Sequence, residues 1–176
     1  MRLFHLPLIC LLASLGACAA HADARPDDSP AAGTTVTLER SVCFGFCPSY
    51  TVTVDADGQV DFTGREHVQT PQAHEQVSPE RVAAILAAVE QADFRSLKEN
   101  YVNQDDGCAN MATDMPSARI TVADASGSKT VNFYYGCFGG IADTVKPRID
   151  QLAKTIDEQL DTARWIGKPS AAGTAQ

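Results

Sequence analysis

The chain is 176 residues long, 44% hydrophobic and 20% charged, with a formal net charge of −8 at pH 7. This length accommodates one domain with a substantial hydrophobic core. Lys and Arg are scattered rather than clustered, which argues against nucleic-acid binding and against electrostatic docking on anionic lipid. We therefore expect no nucleic-acid partner.

The first 22 residues are typical of an export signal. Arg2 precedes an apolar run over residues 3–15, and small residues follow it. The run is shorter than the roughly 20 apolar residues that a membrane-spanning helix needs. Residues 15–18, Leu-Gly-Ala-Cys, resemble a bacterial lipobox, in which Cys18 becomes the lipidated first residue.

A second cleavage site, Ala20-His21-Ala22, competes with the lipobox and would release a soluble periplasmic protein. The lipobox is favoured, because a lone Cys18 beside the second site would be an odd thiol in an oxidising compartment. Ala19 follows Cys18 where an aspartate would retain a lipoprotein, which is typical of sorting to the outer membrane. We expect a lipid-anchored envelope protein on the periplasmic side, held at the membrane only through its anchor.

Composition divides the chain into four segments. Residues 1–17 are predicted to be the signal peptide, and residues 18–34 a flexible linker rich in Asp, Pro, Ala and Gly. Residues 35–166 form a single domain. Residues 167–176 resemble the linker and are predicted to be disordered.

The domain keeps four cysteines, Cys43, Cys47, Cys108 and Cys137. An even number in an exported chain predicts two disulfides. Three pairings are open, and proximity in sequence and loop context favour Cys43–Cys47 with Cys108–Cys137.

The first half of the domain shows the alternating hydrophobicity of strands. Residues 35–40 and 50–54 each place apolar side chains on one face, which predicts two half-buried strands around the first cysteine pair. Residues 55–58 predict a hairpin turn, and Val60 and Phe62 the return strand. Residues 66–77 are compatible with a short strand or a loop.

A helix is predicted to follow. Ser78 can cap it, and Pro79 suits its first position. The helix is expected to end near Ala92. Its apolar residues, which recur at helical spacing, are Val82, Ile85, Leu86 and Val89. Phe94 and Leu97 predict a short packed turn beneath it.

The second half repeats the hairpin and the helix. Residues 100–115 are expected to form a long polar loop, residues 120–135 a second hairpin turning at residues 125–128, and the last helix to begin at about Pro147. Trp165 and Ile166 should fold back as a hydrophobic plug. The buried stripe of the last helix is predicted to be Ile149, Leu152, Ile156 and Leu160.

These elements predict an α+β fold: an antiparallel sheet of four to six strands built from hairpins, with two helices packed on one face. The core should bury residues from both helices and both hairpins together. We expect it to contain Ile85, Leu86, Ile149, Leu152, Val52 and Val122.

Several of these features together resemble one known family. They are Leu38-Glu39-Arg40, the C-x-G-x-C-P-x-Y motif over residues 43–50, the Asp57-Gly58 turn and the closing Trp165-Ile166. The chain is similar over residues 35–166 to the domain of unknown function DUF6438 family, whose members are bacterial exported or lipid-anchored proteins. The resemblance implies no catalytic residues, because the family carries no established activity. It also implies that Cys108 and Cys137 are an additional pair that serves local stability.

The first cysteine pair admits other chemistry. A redox pair usually has C-x-x-C spacing at a helix N-terminus, which lowers the thiol pKa, whereas here the spacing is C-x-x-x-C before a strand. Some thioredoxin-like copper chaperones carry C-x-x-x-C-P, but they need a distant histidine and a βαβ core that the hairpins do not predict. His67 and His74 are the available histidines and are interpreted as solvated. A zinc site is disfavoured, since its ligands usually come in closely spaced pairs.

Other polar and aromatic groups have ordinary interpretations too. Asp105, Asp106 and Asp114 lack the ordered spacing of a calcium loop and suit a solvated acidic loop. Tyr134-Tyr135 and Phe138 either floor a ligand groove or belong to the core and its rim. No serine-hydrolase, metalloprotease or phosphate-loop motif is present, but paired carboxylates are invisible to sequence spacing.

The sequence therefore predicts a non-enzymatic envelope module, stabilised by disulfides, that binds a ligand or a protein partner. We assign no catalytic, cofactor-binding or metal-binding residue and no cofactor. The second hypothesis is a thiol-redox or copper-handling protein that uses Cys43 and Cys47. The third is a hydrolase with a carboxylate site in the acidic loop.

Overall fold

The computed structural model describes residues 33–167. The signal peptide, Cys18, most of the linker and residues 168–176 lie outside the described residues. The strands are β1 Thr35–Arg40, β2 Ser49–Asp55, β3 Gln59–Glu66, β4 Gln72–Gln76, β5 Asn100–Tyr101, β6 Cys108–Met111, β7 Ser117–Asp124, β8 Gly127–Tyr134 and β9 Cys137–Gly140. The helices are α1 Pro79–Gln91, α2 Ala142–Leu160 and α3 Ala163–Ile166, with a 3₁₀ turn at Phe94–Ser96.

The main sheet holds seven strands in the order β4-β3-β2-β1-β7-β8-β5. Its neighbours run antiparallel except β5 and β8, which are parallel. Strands β6 and β9 form a second, two-stranded sheet. The α+β class is confirmed. The prediction of four to six antiparallel strands was wrong, because the polar stretch 100–115 begins with β5, which adds a seventh, parallel strand to the main sheet; the same stretch also supplies β6 of the small sheet.

Strand β1 lies at the centre of the main sheet. Leu38 stands between Val52 on β2 and Ile120 on β7. Strand alternation puts these three side chains on one face, where they form a single core with the apolar stripes of α1 and α2. The largest fully buried side chains are Tyr50, Tyr101, Phe62, Phe94, Phe133, Leu38, Ile85, Ile120, Ile149, Leu152, Ile156 and Leu160.

The first hairpin turns where the sequence predicts it. Asp55 Oδ1 accepts the backbone N–H groups of Asp57 and Gln59, each at 2.9 Å. Gly58 has φ +82° and lies against the start of α1, where a Cβ would be 2.4 Å from the carbonyl oxygen of Val77. Only glycine satisfies both conditions. The undecided stretch that follows this hairpin contains strand β4.

Helix α1 begins at Pro79, as predicted. The carbonyl of Ser78 accepts the first helical N–H groups, but the Ser78 side chain makes no capping bond. Val82, Ile85 and Val89 are buried. Leu86 is only half-buried at the core's edge, so its predicted full burial was wrong. The other five residues of the predicted core are buried.

Helix α2 begins at Ala142, not at Pro147. The prediction treated the proline as the first helical residue, whereas Ala142 and Val145 already face the core. Pro147 falls in the second turn, where the missing N–H costs one bond, to the carbonyl of Asp143. Buried contacts on the first turn outweigh that loss.

Trp165 folds back onto the domain, as the sequence predicts. Trp165, on α3, is buried with its ring centroid 4.9 Å from that of Phe62, and the Trp165 carbonyl accepts the N–H groups of Gln69 and Thr70. No helix among residues 33–167 is long and apolar enough to cross a membrane.

Candidate functional site

Four links meet at one end of the main sheet; one of them, residues 67–71 between β3 and β4, carries His67, and the other three carry the features described below. Residues 41–48 link β1 to β2, residues 102–116 link β5 to β7, and residues 135–143 link β8 to the first turn of α2. Strands β1, β5 and β8 end where β2 and β7 begin, so all three segments emerge at the same end. We call these three segments the disulfide end, because both disulfides lie in them.

The first bond, which we call the loop disulfide, joins Cys43 to Cys47 with the Cα atoms 5.5 Å apart. Gly45, between them, has φ +147°, which L side chains rarely adopt. Glycine adopts this conformation without a steric cost. The N–H of Phe44 donates to the Asp114 carbonyl at 3.0 Å, which fixes the loop against the second segment.

The second bond, the sheet disulfide, joins Cys108 on β6 to Cys137 on β9. Both cysteines are buried, and Met111 stands opposite Cys137 in the ladder of the small sheet. The favoured pairing of the four cysteines is the pairing in the structure. The sheet disulfide therefore joins the segment 102–116 to the segment that follows β8.

Residues 112–116 connect the two disulfides into one surface. The N–H of Ala112 donates to the Gly136 carbonyl at 2.7 Å, which extends the small sheet. The Tyr134 hydroxyl donates to the Ala112 carbonyl at 2.9 Å and accepts the N–H of Met115 at 3.2 Å. Backbone bonds thus link the small sheet, this segment and the loop disulfide.

Exposed apolar side chains are concentrated on this surface. Phe44 is 90% exposed and Phe46 59%, and the Phe46 ring packs edge-to-face with that of His67 at a centroid distance of 5.2 Å. Within residues 33–167, every large hydrophobic side chain that is exposed belongs to the disulfide end. These side chains are Val42, Phe44, Phe46, Met111, Met115, Phe138 and Ile141.

A polar network lies beneath the loop disulfide. The Arg40 guanidinium donates to Asp157 Oδ2 from Nη2 at 2.7 Å and from Nε at 3.2 Å. The Tyr50 hydroxyl donates to Asp157 Oδ1 at 2.5 Å, and the Thr162 hydroxyl donates to the same oxygen at 2.9 Å. The network ties the end of β1 and the start of β2 to the C-terminal part of α2.

Electrostatics keep this network in one protonation state. Burial alone would lower the pKa of Arg40, but the charge and hydrogen bond of Asp157, together with Tyr50 and Tyr135, hold that pKa above its ordinary value. Burial, and then the negative charge of Asp157, raise the pKa of Tyr50 well above 10. Tyr50 is therefore a neutral hydrogen-bond donor and Arg40 a fixed cation at any physiological pH.

A cleft of about 310 Å³ opens above the network and is bordered by Cys47, Pro48, Pro116 and Ile166. The Asp157 oxygens that face it are engaged by Arg40, Tyr50 and Thr162. Both oxygens of the carboxylate are therefore already occupied by donors of the protein itself. The arrangement suits a structural role better than a catalytic one.

The histidines of the copper hypothesis lie apart. His67 contacts Phe46, beside the loop disulfide, whereas His74 lies on β4 with its Nδ1 2.5 Å from Asp61 Oδ1. Strand β2 follows Cys47 closely, so the pair is not at a helix N-terminus. In the part of the chain that the structure describes, no three His, Cys, Asp or Glu side chains gather as a metal site requires.

The remaining candidates fall at the disulfide end. Asp106 accepts the N–H of Val102, and Asp114 accepts the Thr113 hydroxyl. Asp105 is exposed. Of the three predicted aromatics, Tyr134 braces the 112–116 segment and Phe138 is 46% exposed. Tyr135 is half-buried, and burial raises its pKa to about 12.

Sequence reasoning missed the network around Asp157. One signal was present, because Arg40 continues the inward-facing series Val36 and Leu38 on β1, and a charge at the end of a buried series needs a partner. The partner itself, 117 positions away along the chain, has no recognisable spacing.

The family model described as a domain of unknown function, DUF6438, matches residues 34–160. The match covers all nine strands and helices α1 and α2, and it includes both disulfides and the Arg40–Tyr50–Asp157 network. A search among curated proteins finds no match.

Proposed function

The chain belongs to the DUF6438 family, whose description names no activity, and from its geometry we propose a non-enzymatic module that binds another protein through the disulfide end. One observation carries the proposal: the exposed large hydrophobic side chains of residues 33–167 all lie on that surface. Single exposed hydrophobics are ordinary, but a group of them at one end is typical of an interaction site.

The chemistry of these side chains suits protein recognition. Phe and Met are enriched at the centres of protein interfaces, and Met adapts its shape to varied partners. Phe44 and Phe46 supply large aromatic anchors within a ring closed by the loop disulfide. We expect these two residues to contribute most of the binding energy, as a few anchors usually do.

The disulfides support this function by fixing the surface before a partner arrives. Ordering a flexible side chain or loop on binding costs about 0.5–1.5 kcal/mol for each immobilised side chain. The loop disulfide restrains the segment that carries both phenylalanines, and the sheet disulfide restrains the strands that carry Met111 and Phe138. A rigid surface would recover part of that ordering cost as affinity.

Export and lipidation at Cys18 form part of the proposal. Strand β1 enters the sheet at Thr35, at the end opposite the disulfide end, and its six residues extend over about 20 Å. A tether that joins the domain before Thr35 would therefore leave the disulfide end pointing away from the membrane and open to a partner. Mass spectrometry of the mature N-terminus tests the anchor, since a chain that begins unmodified at Asp23 would contradict it.

Site-specific photo-crosslinking tests the binding function. A photoreactive phenylalanine analogue at Phe44, in the organism from which the chain comes, should give a discrete adduct with a partner protein. The matched control is the same analogue at Asp57, which is exposed in the hairpin turn at the opposite end of the sheet. A Phe46→Ser substitution should remove the Phe44 adduct. Equal labelling from Phe44 and Asp57 would contradict the proposal.

A further inference from the structure

The disulfide end carries charge of only one sign. Its three segments contain Asp105, Asp106, Asp114 and Asp143 and no Lys, Arg, His or Glu. Cationic side chains border this surface from outside the three segments: Val42 lines a pocket with Arg40, Arg65 and Arg119, and the Phe46 ring touches His67. Any partner that covers the apolar side chains also comes close to the negative charge of the four aspartates.

Three of the four carboxylates accept a hydrogen bond from a neutral donor. Asp106 accepts the N–H of Val102 at 3.1 Å, and Asp143 accepts the N–H of Gly139 at 2.8 Å. Asp114 accepts the Thr113 hydroxyl at 2.8 Å. These donors are neutral, so they orient the carboxylates and leave their charge in place.

Some acids elsewhere on the domain have a cationic partner. Asp157 pairs with Arg40, Asp124 with Arg95, and Asp150 with Lys146. Among residues 33–167, the ion pairs within 4.0 Å include none of the four aspartates of the disulfide end. Asp57, Glu90 and Glu99 outside the disulfide end have no such pair either, so the four aspartates are distinguished by sharing their three segments with the exposed apolar side chains.

We infer that the partner presents a polypeptide segment in which apolar side chains alternate with or are flanked by Lys or Arg. This inference rests on the proposed function and names the chemistry of the partner. The apolar side chains of such a segment would cover Phe44, Phe46 and Met115. Its cations would meet the carboxylates and the faces of the two exposed phenyl rings, which attract Lys and Arg. An acidic partner would be repelled, and anionic lipid would be repelled for the same reason.

Selection from a random 12-residue peptide display library on the purified mature chain, with its disulfides intact, tests the inference. Selected peptides should be enriched in Leu, Phe, Lys and Arg over the starting library. Their affinity, measured by fluorescence anisotropy, should fall as salt rises, because exposed charges are screened.

Three variants locate the binding. Phe44→Ser should abolish it, and Phe44 is so exposed that the melting temperature should not change. The triple variant D105N/D106N/D114N should weaken it roughly tenfold, since each exposed ion pair contributes a factor of about 1.4 to 5. Asn tolerates the left-handed conformation of Asp114 (φ 66°). The matched control, D57N/E90Q/E99Q, removes three exposed charges outside the disulfide end and should bind like the unmodified chain.

The possible failures are distinguishable. Peptides that lose binding with Phe44→Ser but show no excess of Lys or Arg would overturn the inference and leave the proposed function standing. Equal weakening by the two triple variants would also overturn the inference. Peptides that bind the Phe44→Ser variant as well as the unmodified chain, or a selection that enriches nothing, would overturn both.

Discussion

Replacing Asp157 with alanine should lower the free energy of unfolding by about 3 kcal/mol. Breaking a buried ion pair from one side costs about 3–5 kcal/mol, because the remaining charge stays buried without compensation. The side chains of Arg40 and Asp157 are 24% and 21% exposed, so water offsets part of that loss. The Tyr50 and Thr162 hydroxyls lose their acceptor in the same step.

Urea denaturation followed by tryptophan fluorescence measures the effect. Trp165 is the single tryptophan of the chain, and it is 5% exposed against Phe62, so its emission reports the loss of the core. The control is Glu158→Ala, which breaks an exposed pair with Lys154 one helical turn away and should cost no more than about 0.5 kcal/mol. Similar losses for Asp157→Ala and Glu158→Ala would refute the reasoning.

A double variant separates the cost of an orphaned charge from the net contribution of the pair. Arg40→Met combined with Asp157→Leu removes both charges and keeps apolar volume. Such replacements are often neutral or stabilising in buried pairs. We expect the double variant to be more stable than Asp157→Ala alone. A double variant less stable than Asp157→Ala would contradict the cost assigned to the orphaned charge, and its stability relative to the unmodified chain gives the net contribution of the pair.

Three further predictions use the same unfolding assay. The free energy of unfolding should fall as pH rises above 10, because the pKa of Tyr50 is raised only in the folded state and the unfolded chain therefore releases the Tyr50 proton first. Tyr50→Phe should make this fall smaller. Leu152→Ala should cost roughly 2–5 kcal/mol because Leu152 is fully buried, whereas Leu86→Ala should cost less; equal costs would contradict the difference in burial. Replacing both cysteines of the sheet disulfide with serine should lower the free energy of unfolding by about 3.6 kcal/mol. The same replacement in the loop disulfide should lower it by about 2 kcal/mol, because the sheet disulfide closes the longer loop. The reverse order of the two losses would contradict the loop-entropy argument.

Most of the fold could be predicted because its signals are local. Alternation around Val36 and Leu38, the Asp55–Gly58 turn and the Ser78-Pro79 helix start each depend on neighbouring residues, and each is confirmed. The start of α2 failed for a related reason. A proline is a strong local signal, but the burial of Ala142 and Val145 decides where the helix begins, and burial depends on the rest of the fold.

Weak elements and distant pairs were beyond the reach of sequence patterns. Strand β5 has two residues, too few to show alternation, and it is defined by its pairing with β8. The disulfide pairing could be favoured because proximity and loop context narrow three choices. Sequence patterns could not predict that exposed side chains from three segments lie at one end of the sheet, because this depends on which strands end there.

The C-x-G-x-C-P-x-Y motif combines two different roles within eight residues. Tyr50, at its end, is buried and bonded to Asp157, so the start of β2 is held to α2. Phe44, in its first half, is 90% exposed on the ring that the loop disulfide closes. Pro48 lies between them and restricts the backbone where the loop enters the strand. The buried half therefore provides a fixed base for the exposed half. A substitution at Tyr50 should loosen the loop that carries Phe44 as well as the core, whereas one at Phe44 should impair only the binding proposed for the disulfide end.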